Sequence, residues 1–279
     1  MVLEDIKSKY LEQRPFVALF LGVLYTFIGY GVAVFFFGEN LSVAMLFLTT
    51  LLLVPTLVHL LADEEKRERE AGTISFIKNH MDIAEVYLFL FIGVFVGYLI
   101  LGFLLPASYE SIFHFQTEYL TKQQGLSNEL ITSFLEGTFT PSLQHVAGVL
   151  SKNIPVALLF FILSVFYGAG AVFLVVLNAS VFSSFIQFVV QHLSNRALDI
   201  VTILGFFSVH LIPEITGFLL AAIAGGVVSR AMLHESWGSK GFSNVMKDSV
   251  LLLLVSIIFI VVAAILEVYV TTWLFRVSF

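Results

Sequence analysis

Long uncharged apolar runs constrain this chain more than any other feature of its sequence. One run extends from Pro15 to Phe37, and a second follows from Leu41 to Leu61 after a short polar turn. An α-helix needs about 20 apolar residues to cross the hydrocarbon core of a bilayer. The runs are continuous and do not alternate every second residue, which indicates helices rather than barrel strands. Further runs of comparable length occupy residues 86–105, 155–182 and 249–266.

The composition excludes most other classes of protein. Hydrophobic residues make up 58% of the chain and charged residues only 12%, whereas ordinary soluble domains carry roughly a quarter charged residues. The net charge of -6 offers no basic face for nucleic acid, and the absence of cysteine excludes a disulfide scaffold. The sequence therefore predicts an all-α polytopic membrane helix bundle with about six hydrophobic segments. Its expected surroundings are the lipid bilayer, and no nucleic-acid partner is expected.

The remaining hydrophobic segment, residues 197–229, is the fifth in chain order and contains polar residues and a proline. Asp199 lies near one end, and Pro213 and Glu214 lie near the middle. Proline removes a backbone donor and clashes with the preceding turn of a helix. We expect this segment to be broken or re-entrant around residues 208–213, with Pro213 at the helix break. The apolar piece before it, residues 183–192, is too short for a span and is expected to be interfacial or part of a re-entrant element.

Basic residues suggest the orientation, because cytoplasmic loops of membrane proteins are enriched in lysine and arginine. Three basic residues precede the first span and four lie between the second and third spans, so both segments are predicted to be cytoplasmic. Arg196 and Arg230 also look cytoplasmic, which requires an even number of crossings between them. A re-entrant segment would meet that requirement. The sequence predicts a multi-pass protein of the cell membrane with a cytoplasmic N-terminus.

Three regions are predicted. Residues 1–105 form an N-terminal three-span region with a charged cytoplasmic loop at 62–80, expected to be a solvated helix extension or a docking site for a partner. Residues 106–153 form an extracytoplasmic amphipathic segment of two helices, because apolar residues recur there at helical spacing. Residues 154–279 form a C-terminal membrane core.

His210, Glu214 and Asn178 are the candidate residues for an intramembrane polar site. His210 and Glu214 are four residues apart, so on a helix they share one face. A carboxylate at membrane depth is costly and normally faces the bundle interior or a cavity. The pair is either a proton, ion or substrate site or a polar lock that holds a broken helix together. Asn178 is expected to bond across helices or within its own helix.

No motif indicates catalysis. Zinc catalysis needs about three protein ligands, and the H-x-x-x-E pair is not a ligand set, so no metal site is predicted. The chain contains no G-x-S-x-G serine-hydrolase motif and no phosphate-binding loop, and no cofactor is predicted. Glu267, which follows an apolar run, is expected at the membrane interface near the aromatic belt.

Small residues recur at helix-packing spacing. Such rows let backbones approach closely in lipid. They predict packing within the bundle, with a seam between two copies in a homo-oligomer as the alternative. The predicted packing residues are Gly93, Gly97, Gly217, Ala221 and Gly225.

The segment from His210 through Pro213, Glu214 and Gly217 to Arg230 resembles the H-G-x-x-E-x-P-A…A-G signature of the stage II sporulation protein M family. The Asn-Ile-Pro-Val-Ala segment at 153–157 and the Phe-Ile-Gly segment at 91–93 fit as well. The resemblance covers roughly residues 85–275. The two extra N-terminal spans make the chain similar to the archaeal branch of that family.

The resemblance implies a non-catalytic membrane subunit. Bacterial members of the family anchor peptidoglycan-degrading enzymes during engulfment of the forespore, a substrate that archaeal relatives cannot share. From this we expect a non-enzymatic integral membrane subunit that scaffolds or anchors partner proteins of unknown identity. The alternative is a transporter or permease component whose polar path runs through His210 and Glu214, because transporters place substrate sites at interrupted helices near the midplane.

Overall fold

The computed structural model describes residues 8–71, 76–122, 139–167, 171–193 and 200–278. Across those ranges the regular elements are helices, and six stretches are long and apolar enough to cross a membrane. The first of these stretches contains two helices joined by a tight turn. The predicted all-α polytopic membrane bundle is confirmed.

Ten α-helices are numbered here in chain order through the described residues. They are α1 (Ser8–Gln13), α2 (Phe16–Phe37), α3 (Leu41–Ala71), α4 (Phe76–Leu104), α5 (Tyr109–Lys122), α6 (Leu143–Tyr167), α7 (Ala171–Leu193), α8 (Ile200–His234), α9 (Lys240–Ile265) and α10 (Thr272–Ser278). Short 3-10 turns lie at Gly38–Asn40 and Pro106–Ser108. A wide π-helical segment, Leu266–Thr271, connects α9 to α10.

The hairpin between α2 and α3 follows from its turn residues. Gly38 has a φ of 36°, a left-handed value that glycine adopts without steric cost. The two helices then pack against each other. Helix α3 continues to Ala71 and α4 begins at Phe76, so the predicted charged loop at 62–80 is mostly helical. Residues 72–75 lie outside the described part of the chain.

The uncharged run at 155–182, read from sequence as one span, belongs to two helices. Helix α6 begins earlier, at Leu143, and ends at Tyr167, and α7 extends from Ala171 to Leu193. The piece at 183–192 is therefore the second half of α7, not a separate interfacial or re-entrant element. The run carries no charge at that boundary, and composition alone merged the two helices because the signal there, Gly168 and Gly170, does not interrupt the apolar run.

The expected break around residues 208–213 is wrong. Helix α8 is continuous from Ile200 to His234, with Pro213 inside it. A proline removes one hydrogen bond, to the carbonyl four residues earlier. In a membrane bundle the freed group is readily satisfied by neighbouring helices or local adjustment, so proline is tolerated within spanning helices. Pro213 accordingly does not mark a helix break in this chain.

These two corrections together change the crossing count. With α6 and α7 as separate spans, one continuous crossing by α8 brings Arg230 and the start of α9 to the side predicted to be cytoplasmic. No re-entrant segment is then needed to satisfy the distribution of basic residues around α8 and α9. Arg196, which suggested an even number of crossings, lies outside the described residues. The orientation of the bundle stays a prediction.

Helix α5 lies at the end of the bundle where α4 finishes, called here the α5 end. Its amphipathic pattern buries Ile112 and Phe113. Gln116 is fully buried and bridges two helices. It accepts a hydrogen bond from Ser42 Oγ of α3 at 2.7 Å and donates one to Ser180 Oγ of α7 at 3.0 Å. The second predicted amphipathic helix falls on residues outside the described ranges, and residues 143–153 form the first turns of α6.

Glycines allow several helices to approach closely. In α4, a Cβ added at Gly93 would lie 2.2 Å from the Leu19 carbonyl oxygen of α2, and one at Gly97 would lie 2.8 Å from Thr26. In α8, a Cβ at Gly217 would lie 3.0 Å from the Ser256 carbonyl oxygen of α9. All of the predicted packing residues of α8, namely Gly217, Ala221 and Gly225, are buried.

Candidate functional site

A cavity of about 710 Å³ opens among helices at the α5 end and reaches the predicted polar residues. Its walls come from α5, α6, α7 and α8 and from the segment that follows α9. Exposed side chains such as Gln144 and Lys152 line one part, and the buried side chains of His210 and Glu214 line another. The cavity therefore connects the surface of the bundle to its ionisable interior.

The three polar site residues predicted from sequence all line this cavity. His210 and Glu214 of α8 are each only 6% exposed, and both lie on the face of α8 that points into the bundle. Asn178 of α7 is half-buried, and its amide nitrogen donates to the Leu174 carbonyl oxygen of its own helix at 2.8 Å. One amide proton of Asn178 is thus used within its own helix, as the sequence analysis allowed.

Glu267, expected at the membrane interface, is the third member of the ionisable cluster. Ligand atoms of His210, Glu214 and Glu267 all lie within 4.8 Å of one another. Glu267 is half-buried and lies in the π-helical segment that follows α9. We call these three residues the His-Glu-Glu cluster.

Neighbouring residues that are not part of the His-Glu-Glu cluster orient its side chains. The Nδ1 atom of His210 lies 2.9 Å from the Thr271 hydroxyl, which also belongs to the π-helical segment. The Asn153 side chain of α6 hydrogen-bonds to the Glu214 carboxyl. Lys152, next to Asn153, interacts electrostatically with Glu267. Each cluster residue therefore has a partner on a different helix, and that fixes the direction of its side chain.

Aromatic rings surround the cluster and keep its environment apolar. Phe218 stacks on Phe160 with ring centroids 5.5 Å apart, one turn below Glu214. Phe207 meets the His210 ring edge-on at 5.9 Å and contacts Phe275 at 5.3 Å. Electrostatic interactions are stronger in such surroundings than in water. Two carboxyl groups at this spacing attract a proton or another cation, because their mutual repulsion is poorly screened.

Sequence reasoning missed Glu267, Thr271, Asn153 and Lys152 as neighbours of the pair in α8. The sequence did contain a signal for two of them. Glu267 is a single carboxylate at the end of a long uncharged run, and Lys152 is a single cation just before the uncharged run that begins at Pro155. Ionisable residues at the ends of spans, like those within spans, are therefore candidates for a functional site. Pairing these two segments with α8, however, required the three-dimensional arrangement of the helices.

The cluster can act as a cation site. It presents two carboxylates and an imidazole to one end of a cavity, and these groups supply negative charge and both oxygen and nitrogen donors. The same groups also support proton exchange between the carboxylates and the imidazole. Either role requires access from the surface, which the cavity provides.

Comparison with known proteins agrees with the motif in α8. Residues 86–272 match the family model described as stage II sporulation protein M. No curated protein and no solved structure shows a significant match. The matched region extends from α4 to the π-helical segment, so it contains the cavity and every member of the His-Glu-Glu cluster. Because the match covers more than half of the sequence, the chain belongs to the stage II sporulation protein M family.

Proposed function

We propose that this integral membrane protein is a transporter or permease component that carries a small cationic solute. The solute enters the cavity from the α5 end and binds at the His-Glu-Glu cluster. The observation that carries the proposal is the cavity that connects exposed residues of α6 to the buried Glu214. The polar path predicted at His210 and Glu214 is retained, with Glu267 added to it.

The position of Glu214 within a spanning helix supports this function. Glu214 lies about 21 Å from the N-terminal end of α8 at about 1.5 Å per residue, within a stretch long enough to span the membrane. Ionisable residues within such stretches are rare and often mark ion or substrate pathways. A purely structural lock needs partners only for its own polar groups, whereas this cluster faces a cavity large enough for a solute.

The helices below the site are close-packed, which supports an alternating-access cycle. A Cβ added at Gly225 would lie 2.2 Å from the Phe161 carbonyl oxygen, so α6 and α8 touch there through their backbones. Ala221 and Val227 nearby are fully buried. The cavity thus opens toward the α5 end, and among the described residues α6 and α8 are in direct backbone contact beyond it. Release of the solute on the other side would require α6 and α8 to separate.

Flux through reconstituted protein tests the proposal. Proteoliposomes are loaded with fluorescent indicators and given inward gradients of protons, Na⁺, K⁺, Zn²⁺, Mn²⁺ or small organic ammonium ions. We expect flux of at least one of these cations, and we expect Glu214→Gln to reduce it at least tenfold while leaving the melting temperature close to that of the wild type. The amide keeps the shape and the hydrogen bonding but removes the negative charge.

Glu118→Gln is the matched control, because it removes a carboxylate from an exposed site outside the cavity. Its flux should equal that of the wild type. Absence of flux for every cation tested would contradict the proposed transport function. Equal flux in Glu214→Gln and the wild type would show that the path lies elsewhere.

A scaffolding role is the second candidate, and one observation favours it. Helix α3 has 31 residues and continues through the charged sequence to Ala71, beyond the part long enough to span a membrane. Such a protruding helix could dock a partner protein on the side predicted to be cytoplasmic. Purification in mild detergent from the native membrane, comparing the full chain with one whose residues 63–70 are replaced by a Gly-Ser sequence, tests it. A partner retained only by the full chain would support scaffolding.

A further inference from the structure

We propose that the cation bound by the His-Glu-Glu cluster is a divalent transition-metal ion of the Zn²⁺ or Mn²⁺ type. This inference rests on the proposed function, because it names the class of solute that the cavity admits. His210, Glu214 and Glu267 are the protein ligands. The remaining coordination positions face the cavity, where water or an incoming group would complete them.

The spacing of the donor atoms fits a metal ion after small adjustments. Nitrogen and oxygen ligands bind Zn²⁺ at about 2.0–2.2 Å, which places ligand atoms of a tetrahedral site roughly 3.4 Å apart. The donor atoms of the cluster already lie within 4.8 Å of one another. The donors would have to approach one another by roughly 1.4 Å or less to form the site, a distance within the range of side-chain rotation.

The chemistry of the donors selects the class of metal. Imidazole nitrogen suits Zn²⁺, Fe²⁺ and related ions and carboxylate oxygen suits Mn²⁺, whereas Ca²⁺ and Mg²⁺ are bound through oxygen ligands. Thiolate and thioether ligands, which favour Cu⁺, are absent from the cluster. Two carboxylates balance the charge of a divalent ion, which makes its burial tolerable in an apolar site.

The neighbours of the cluster match those of known metal ligands. Ligating histidines almost always donate their other ring N–H to a fixed acceptor, and ligating carboxylates are themselves hydrogen-bonded. We assign the proton of His210 to Nδ1, which donates to the Thr271 hydroxyl at 2.9 Å and leaves the Nε2 lone pair free for the metal. Asn153 holds the Glu214 carboxyl in the same way.

The Lys152 ammonium competes with the metal ion for the Glu267 carboxylate. Its ammonium interacts with Glu267 in the absence of a metal, and a divalent ion at the cluster would displace that interaction. Lys152→Gln should therefore tighten metal binding several-fold, because the carboxylate no longer has an internal partner to give up. A lysine with a purely structural role would leave the metal affinity unchanged when it is replaced.

Equilibrium binding tests the inference. The full chain is purified in detergent without an affinity tag, stripped of metal by chelation and titrated with ZnCl₂ and separately with MnCl₂ against a competing chromophoric chelator. We expect one high-affinity site per chain for at least one of the two ions. His210→Asn, Glu214→Gln and Glu267→Gln should each weaken it at least 100-fold. Thr271→Val, which removes only the orienting group, should weaken it about 10-fold, as outer-shell changes do.

His210→Asn is chosen because the asparagine amide can still donate to Thr271 while the Nε2 ligand is gone. The matched controls are His234→Asn and Glu118→Gln, which remove an exposed histidine and an exposed carboxylate away from the cavity. Both controls should bind metal as the wild type does. Melting temperatures are recorded for every variant, so that a loss of binding in an unfolded protein is recognised.

The outcomes separate this inference from the transport proposal. Flux of another cation without a Zn²⁺ or Mn²⁺ site would overturn the metal assignment and leave transport standing. A metal site without flux would support the assignment and contradict transport. Binding that survives all three ligand substitutions would place the metal at other histidines or carboxylates and would overturn the inference.

Discussion

Replacing Gly225 by alanine should separate α6 from α8 and destabilise the bundle. The added Cβ would lie 2.2 Å from the Phe161 carbonyl oxygen and 2.8 Å from the Ser164 Cβ. Ordinary contacts between heavy atoms begin near 3.5 Å. The backbone oxygen cannot rotate away, so the two helices must move apart by roughly 1.3 Å to relieve the closest contact.

The expected cost follows from that displacement. Overpacking a well-packed interior costs about 1–3 kcal/mol, and a helix separation also weakens the contacts on both sides of the crossing. Because a domain of about 250 residues loses roughly 2 °C for each kcal/mol, we expect Gly225→Ala to lower the melting temperature by about 2–6 °C. The change is measured by heating the protein in mild detergent and recording, at each temperature, the fraction that remains monodisperse.

Two other glycines of α8 provide a graded control. At Gly205 an added Cβ meets nothing within 4 Å, so Gly205→Ala should be neutral or raise stability by up to about 1 kcal/mol through helix propensity. At Gly217 the nearest atom is the movable Ile260 side chain at 2.7 Å, so Gly217→Ala should fall between the two. A melting temperature of Gly225→Ala equal to or higher than that of Gly205→Ala would refute the close crossing of α6 and α8.

Three further predictions concern the α5 end and the orientation. Gln116→Leu should lower the free energy of unfolding by about 1–3 kcal/mol in detergent, because two buried serine hydroxyls lose their bridging partner; no change would contradict the network. Cysteines introduced at the exposed Glu39 and Ser236 should react differently with an impermeant thiol reagent in intact cells. Glu39→Cys should be labelled and Ser236→Cys should not, and the reverse result would invert the predicted orientation. The Lys122 ammonium lowers the pKa of Glu118, so any stability that this exposed pair adds is present at pH 7 and is lost as the pH falls through the lowered pKa. Glu118→Gln should therefore differ least from the wild type in acid, and a difference in melting temperature that grew on acidification would contradict this sign.

The sequence predicted those parts of the fold that depend on local chemistry. Runs without charges indicate spanning helices because only apolar side chains are tolerated by the hydrocarbon core. The tight turn at Gly38, the small-residue rows of α4 and α8, and the shared face of His210 and Glu214 follow from spacings of a few residues. Each of these features involves one helix or two consecutive helices, so no information about distant contacts was needed.

Boundaries inside apolar sequence were not predictable in the same way. The run at 155–182 contains no charge, so hydropathy does not divide it into α6 and α7; the signal at the division is the glycine pair Gly168 and Gly170. Pro213 illustrates the opposite error, because the rule that proline ends helices comes largely from helices exposed to water. Within a bundle, neighbours compensate for one lost backbone hydrogen bond, and α8 continues past the proline.

The positions of Thr271 and Phe275 could not be obtained by counting residues along α9. A π-helical turn contains an extra residue, which changes the angular position of everything that follows it. Helical spacing extended from Ser256 and Ile260 therefore does not place Thr271 or Phe275 correctly. The same segment contributes Glu267 to the cluster and Thr271 to His210. Because π-helical turns are often found at functional sites, the irregularity of the segment that holds Glu267 and Thr271 supports the proposed role of this end of α9 in the site.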